Sequence, residues 1–320
     1  MDRYIKYNFR DFSNFPKVGK IAYTPTGAFR IYDEGVFNSI HSISFPAQKN
    51  KGDKKLSPMN FCVYCRRTHD KQGAKLQLTS EHIIPEFLGA CLELPASSCS
   101  DCQEITSDFE RSLAKELFLG PRTQMGIQGK KIEGRSAPMK KSLLADAGAE
   151  NNDYFVASLA DHPTVLVLPV LFPAASVSSK PKINNEILRL AVCNLNVSED
   201  KLSNFGIKSF SSQHIDLIRF AQLICKIALA YSMHYFRETP FIVLVDKFIT
   251  RKFLPQDSAV DHFEHVGVLW NRPTPKSENL HEIEVGEIIK NGVRFCVVRV
   301  QLFACYGMPS YYATVGYHSN

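Results

Sequence analysis

No stretch of these 320 residues is long and apolar enough to read as a membrane span. A span needs about 20 largely uninterrupted apolar residues. The most apolar helical pattern, residues 214–236, carries Arg219, Gln222, Lys226 and His234, so it reads as a buried core helix. The opening MDRYIKYNFRDFSNF lacks the apolar stretch of a secretory signal. Internal repeats and low-complexity tracts are also absent. The nine cysteines are an odd number and cannot all pair into a disulfide framework. Four of them form two Cys-x-x-Cys pairs, and five are scattered among apolar residues. That usage suits a reducing compartment, so a cytoplasmic protein with one metal site is the expectation.

What is present can build a core. Hydrophobic residues make up 44% of the chain and charged ones 22%, both ordinary for a folded protein. The net charge of +6 is mildly basic and compatible with an acidic partner such as nucleic acid. Length suggests two domains. Residues 1–60 read as an N-terminal arm with some β content, ending in a lysine-rich loop at 49–58. Residues 61–120 are framed by cysteines, and 121–149 form a Gly-, Lys- and Arg-rich linker. Residues 150–320 read as an α+β domain. Its strand candidates are YFVASLA, TVLVLPVLF, FIVLVDKFI, HVGVLW and VRFCVVRVQLFACY, apolar runs bounded by turn residues. Its helix candidates are 214–236 and a shorter one at 184–194. The role of this domain is not legible, and it is the candidate surface for a homodimer or a partner protein.

The chemistry concentrates between the cysteines. Cys62-x-x-Cys65 and Cys99-x-x-Cys102 offer four thiolates, a set that suits tetrahedral zinc. The 33 residues between the pairs exceed the roughly 15–20 of a simple two-knuckle site. The insertion contains EHIIPEF, residues 81–87, where Glu81 and His82 stand side by side. KLQLTSEHIIPEFLG reads as a strand, a turn near Thr79-Ser80, and a second extended stretch closed by Pro85. After Cys102, a helix is expected, with Ile105, Phe109, Leu113 and Leu117 as one apolar stripe. Gln103, Thr106 and Glu110 lie along one edge of that stripe, while Asp108, Arg111 and Lys115 face water. The helix therefore offers the Gln103 amide and the Glu110 carboxylate to a site beside the hairpin.

The order Cys-x-x-Cys, Glu-His-Ile-Ile-Pro, Cys-x-x-Cys, helix resembles the zinc-framed HNH endonucleases, the ββα-metal nucleases. The resemblance covers residues 61–120. It implies a ββα-metal module joined to the C-terminal α+β domain, with structural zinc on Cys62, Cys65, Cys99 and Cys102. It further implies His82 as general base, and a catalytic Mg²⁺ or Mn²⁺ on Glu81 and Gln103, with Glu110 as a further candidate ligand. Gln103 departs from the Asn usual in the family at that place, lengthening the arm by one methylene. Members often serve in bacterial defence or mobile-element systems.

Phosphodiester hydrolysis needs those groups. A neutral imidazole takes a proton from water near neutral pH. A hard cation binds a phosphate oxygen and the departing 3′-oxygen, and one carboxylate with one amide is enough protein ligation for it. Arg66, Arg67, Lys75, Arg111, Arg122, Lys130 and Lys131 are the candidate DNA contacts. No pattern reads base edges, so weak sequence preference is expected. The competing expectation is a zinc-braced nucleic-acid-binding protein whose catalytic site has decayed, which Gln103 favours.

Overall fold

The computed structural model describes residues 4–5, 8–9, 21–23, 36–46, 54–89, 92–127, 163–176, 189–204, 210–211, 215–239, 241–254, 257, 264–269 and 277–319. The strands are β1 (Tyr4–Ile5), β2 (Asn8–Phe9), β3 (Ile21–Tyr23), β4 (Asn38–Pro46), β5 (Lys54–Lys55), β6 (Leu78–His82), β7 (Leu92–Cys99) and β8 (Val165–Val170). They continue with β9 (Arg189–Asn194), β10 (Phe210–Ser211), β11 (Ile215–Asp216), β12 (Ile242–Val243), β13 (Val266–Gly267), β14 (Asn279–Lys290), β15 (Val293–Leu302) and β16 (Ser310–Tyr317). The helices are α1 (Ser100–Glu116), α2 (Leu119–Gln124), α3 (Glu199–Asn204), α4 (Leu217–Tyr235) and α5 (Asp246–Ile249). The architecture is mixed α+β, as the sequence implies.

The largest sheet runs β12-β16-β15-β14-β4, with β13 also on β16, and every pairing in it is antiparallel. The β14–β15 hairpin turns at Asn291-Gly292, both in the left-handed region, the pairing favoured by a tight two-residue turn. Across this sheet lies α4, which packs on β15, β16, α1 and α5. It is apolar nearly all round and is buried from Leu217 to Ser232 save for Arg219, as a helix enclosed by protein must be. Asp216 caps it, its Oδ1 accepting the Ile218 and Arg219 amides at 3.1 Å each. The smaller sheets are β3-β9-β8 and β5-β7-β6, with β1 pairing β11 and β2 pairing β10. The N-terminal strands therefore pair with strands far along the chain rather than with one another.

Five sequence expectations differ from the structure. The turn expected near Thr79-Ser80 lies inside strand β6, and the chain turns only after Ile83, beyond Pro85. The helix expected at 184–194 is strand β9 over its described part. Leu190 to Cys193 are all buried between β3 and β8, and a short apolar run buried on both faces has no periodicity to separate strand from helix. FIVLVDKFI is strand only at Ile242–Val243, then turns into α5. HVGVLW is strand only at Val266–Gly267. YFVASLA lies outside the described residues. Residues 119–124, where the linker was expected to begin at 121, are helical as α2. One continuous core joins Tyr64, Phe118, Phe220 and Tyr311, so the cysteine-framed segment and the C-terminal strands bury their apolar faces together.

Candidate functional site

The four cysteines converge. Their sulfurs all lie within 4.8 Å of one another, and those of Cys65 and Cys99 are 3.7 Å apart. Four sulfurs about 2.3 Å from a tetrahedral zinc would sit about 3.8 Å from each other, so the cluster could hold a structural metal such as zinc. The first knuckle is closed by backbone bonds from Cys62 N to Arg67 O (3.0 Å) and from Arg66 N to Cys62 O (2.6 Å), with Arg66 in the left-handed region. In the second, Cys99 ends β7 and caps α1, and Cys102 sits in the helix's first turn, where the dipole favours thiolates. A bond from the Cys102 thiol, with the amides of Cys65, Cys99 and Tyr64, holds Cys62 down to about 4. The shared proton and then burial push Cys102 up, and burial pushes Cys99 up. Without a cation the sulfurs cannot all ionise together, which a bound metal would permit. Arg67 completes the cluster, its Nε donating to Cys65 Sγ at 3.2 Å and a terminal nitrogen to Asp101 at 3.0 Å.

The cysteines brace a hairpin and helix. β6 and β7 are antiparallel, with Thr79 opposite Ser98 and Glu81 opposite Leu94. β6 thus advances two residues while β7 advances four, leaving Pro95, Ala96 and Ser97 as a bulge. Their carbonyls accept the amides of Met59, Asn60 and Val63 at 3.1, 2.9 and 2.8 Å, which stitches the first knuckle to the hairpin. Beyond His82 the chain pairs once more, Ile83 N to Leu92 O at 3.0 Å, and then Pro85 opens a single 3-10 turn, Glu86–Leu88, ended by Gly89 at φ 83. Side chains alternate along β6. Glu81 points into the protein and is buried, whereas His82 is part-exposed. Both nevertheless line one cleft of about 340 Å³, together with Glu86, Gln103, Glu110 and Arg111. His82 Nε2 is 3.0 Å from Glu86 Oε1. Its Nδ1 is shielded and has no hydrogen-bond partner.

Behind the cleft stands Lys226, which the sequence marks only as a polar residue in an apolar helix. Its ammonium is fully buried, 2.5 Å from Glu81 Oε1 and 2.9 Å from Glu110 Oε1. It also donates to the carbonyl of His82 and, at 3.5 Å, to that of Ile83. Burial alone would lower its pKa, but Glu110 and Glu81 more than reverse this and hold it above the usual lysine range. Two carboxylates face one ammonium, so negative charge is in surplus. Burial pushes Glu110 up, Lys226 pulls it back, and Glu81 adds to the rise, leaving it above the usual carboxylate range. The Tyr64 hydroxyl is buried beside the pair, and burial first, then Glu81 and Glu110, keep it protonated.

The predicted residues thus fall in distinct places. Glu81, His82, Gln103 and Glu110 share the cleft, and the helix edge expected for Gln103, Thr106 and Glu110 is observed. Gln103 Oε1 accepts from Thr79 Oγ1 at 3.2 Å. Among the candidate DNA contacts, Arg111 is exposed and lines the cleft, and Lys75 is exposed away from it. Arg66 is bound to Asp246 at 2.5 Å, Arg67 serves the cysteines, and Arg122 is half-buried. Lys130 and Lys131 lie outside the described residues. Lys226, Tyr64 and Glu86 were not anticipated, nor was His281. This last residue is buried, with Nε2 2.8 Å from Leu88 O and Nδ1 accepting Phe303 N–H at 3.2 Å. It ties β14 to the end of the turn that follows His82. Compared with protein-family models, curated proteins and solved structures, the chain matches none.

Proposed function

We propose that this chain is a zinc-braced endonuclease of the HNH type that hydrolyses phosphodiester bonds of DNA. The observation that supports it is the shared cleft. A hairpin and helix tied by four cysteines bring Glu81, His82, Gln103, Glu110 and Arg111 to one surface depression. Zinc on Cys62, Cys65, Cys99 and Cys102 would fix the hairpin against α1 and take no part in the reaction. Glu86 holds the His82 ring through Nε2 at 3.0 Å, and because Nδ1 is shielded, Nε2 is the nitrogen that serves as base, its lone pair free when the ring proton sits on Nδ1. Substrate binding brings a water between Glu86 and Nε2. The imidazole takes the water's proton, the oxygen attacks phosphorus, and the 3′-oxygen leaves and is protonated from solvent. Arg111, at the rim, binds a phosphate oxygen.

The family also implies catalytic Mg²⁺ or Mn²⁺ on Glu81, Gln103 and Glu110. The donors do not fit it as they stand. Both Glu81 Oε1 and Glu110 Oε1 are paired with the Lys226 ammonium. A dication about 2.1 Å from those two carboxylate oxygens would stand close to the Lys226 ammonium and be repelled by it.

The same ion cluster favours the second reading, a zinc-braced DNA-binding protein whose catalytic site has decayed. Nicking of supercoiled plasmid by the zinc-loaded full chain separates the two, with Mg²⁺ or Mn²⁺ supplied in one set of reactions and omitted in another. Wild type should nick, and His82→Ala should be slower by about 10²–10⁴-fold, the usual contribution of a general base. A His82→Ala protein that nicks as fast as wild type removes the nuclease reading. Wild type that binds DNA in a salt-sensitive way without nicking it establishes the second.

A further inference from the structure

We propose that the Lys226 ammonium is the resident cation of this site, holding Glu81 and Glu110 permanently in the place where a nuclease of this type would use a divalent metal. The inference rests on the HNH reading only for the identity of the site. The geometry is the protein's own.

Three observations carry it. First, the ammonium is surrounded by acceptors, with Glu110 Oε1 held as an ion pair without hydrogen-bond geometry. An ammonium has three protons to give, and here it faces two carboxylate oxygens and the carbonyls of His82 and Ile83. The carbonyl contacts fix the backbone that carries His82 from behind, so Lys226 acts as a positioning residue. Second, it cannot swing aside. Its side chain has no exposed surface, and its neighbours Leu223, Ile224, Cys225, Ile227, Ala228 and Leu229 are all fully buried. Moving Nζ would mean displacing the buried side chains around it and giving up its ion pairs and carbonyl contacts. A gate that opens for an incoming metal would need a mobile arm, and this one is embedded in the core. Third, the ammonium offsets one of the two carboxylate charges, and the raised proton affinity of Glu110 eases the remainder without a second cation.

The decisive measurement is Mn²⁺ binding to the zinc-loaded full chain by electron paramagnetic resonance, in wild type, Glu81→Gln, Glu110→Gln and Lys226→Ala. Wild type is expected to bind no Mn²⁺ that either Gln substitution removes. Mn²⁺ bound elsewhere and retained in both variants is equally consistent. Mn²⁺ that is bound by wild type and lost in Glu81→Gln or Glu110→Gln overturns the proposal. Lys226→Ala frees two carboxylates in a pocket, and it is expected to gain about one equivalent of Mn²⁺ with a protein-bound spectrum. That gain should disappear when Glu110→Gln is added. A folded Lys226→Ala that gains none also overturns the proposal. Should that variant fail to fold, as judged by circular dichroism and zinc content, the wild-type comparison decides alone. Plasmid nicking by His82→Ala is scored separately, so a failed nuclease reading leaves the Mn²⁺ result interpretable.

Discussion

Acid should destabilise this protein through His281, and the size of the effect can be worked from its surroundings. The ring is fully buried. Its Nε2–H donates to Leu88 O at 2.8 Å, and its Nδ1 accepts the Phe303 amide at 3.2 Å. Only the neutral ring satisfies both contacts, because a protonated Nδ1 would meet an N–H. Burial lowers the pKa from 6.5 to about 4, with the Leu88 bond opposing it weakly. The unfolded chain therefore takes up a proton near 6.5 while the native chain waits until about 4. Between those values the unfolded state holds more protons, so stability falls as the pH is lowered. At about 1.4 kcal/mol per unit, the whole window amounts to about 3 kcal/mol. The part lost between pH 8 and pH 5 is about 2 kcal/mol. His281→Gln keeps a donor and an acceptor but does not titrate. Urea denaturation of both proteins at the two pH values isolates the histidine, because other acid effects, including those at the cysteines, are common to both. Wild type should lose about 2 kcal/mol more than the variant. Equal losses would refute the assignment of a neutral, doubly bonded ring.

Further outcomes follow from the cluster and the core. Purified wild type should carry about one zinc per chain, and Cys102→Ser should carry none after dialysis against a chelator, as read by atomic absorption. Full retention of metal by that variant would show that the four sulfurs do not act as one site. Gly267→Ala should destabilise by about 1–3 kcal/mol in thermal melts, since a Cβ there would sit 1.8 Å from the Phe172 carbonyl and 2.8 Å from the Ala174 amide nitrogen. An unchanged melt would mean that the chain at 172–174 yields freely.

The parts of the site that were legible in the sequence are those made by neighbours in the chain. Cys62-x-x-Cys65 and Cys99-x-x-Cys102 announce a metal cluster because each knuckle is a local turn. The edge of α1 carrying Gln103, Thr106 and Glu110 follows from helical period alone. Asp108, Arg111 and Lys115 are exposed as that period requires. β14, in contrast, was not anticipated: register shifts at Asn279/His281 and Val285/Gly286 break its alternation, and Ile288 packs in a separate cluster from Leu280, Ile283 and Val285. Strand β9 was misread because burial on both faces erases its period. Arg66 and Arg67 read as free cations because their partners, Asp246 and the cysteine sulfurs, are visible only in three dimensions.

The deeper limit is the long-range part of the site. Lys226 meets His82 across 144 positions, and His281 meets Leu88 across 193. No local pattern encodes either contact, yet together they hold the EHIIPEFL segment from two sides, Lys226 through the carbonyls at its start and His281 through the carbonyl at its end. The cysteine-framed segment therefore supplies most of the cleft's side chains, while α4 and β14 brace them with Lys226 and His281. A lysine in the middle of a largely apolar helix was the one available clue. A lone buried ammonium is costly, so Lys226 in that setting required an acidic partner somewhere in the fold. Glu81, beside His82 in a short strand with few other reasons to be buried, is a carboxylate that stood in equal need of a cation.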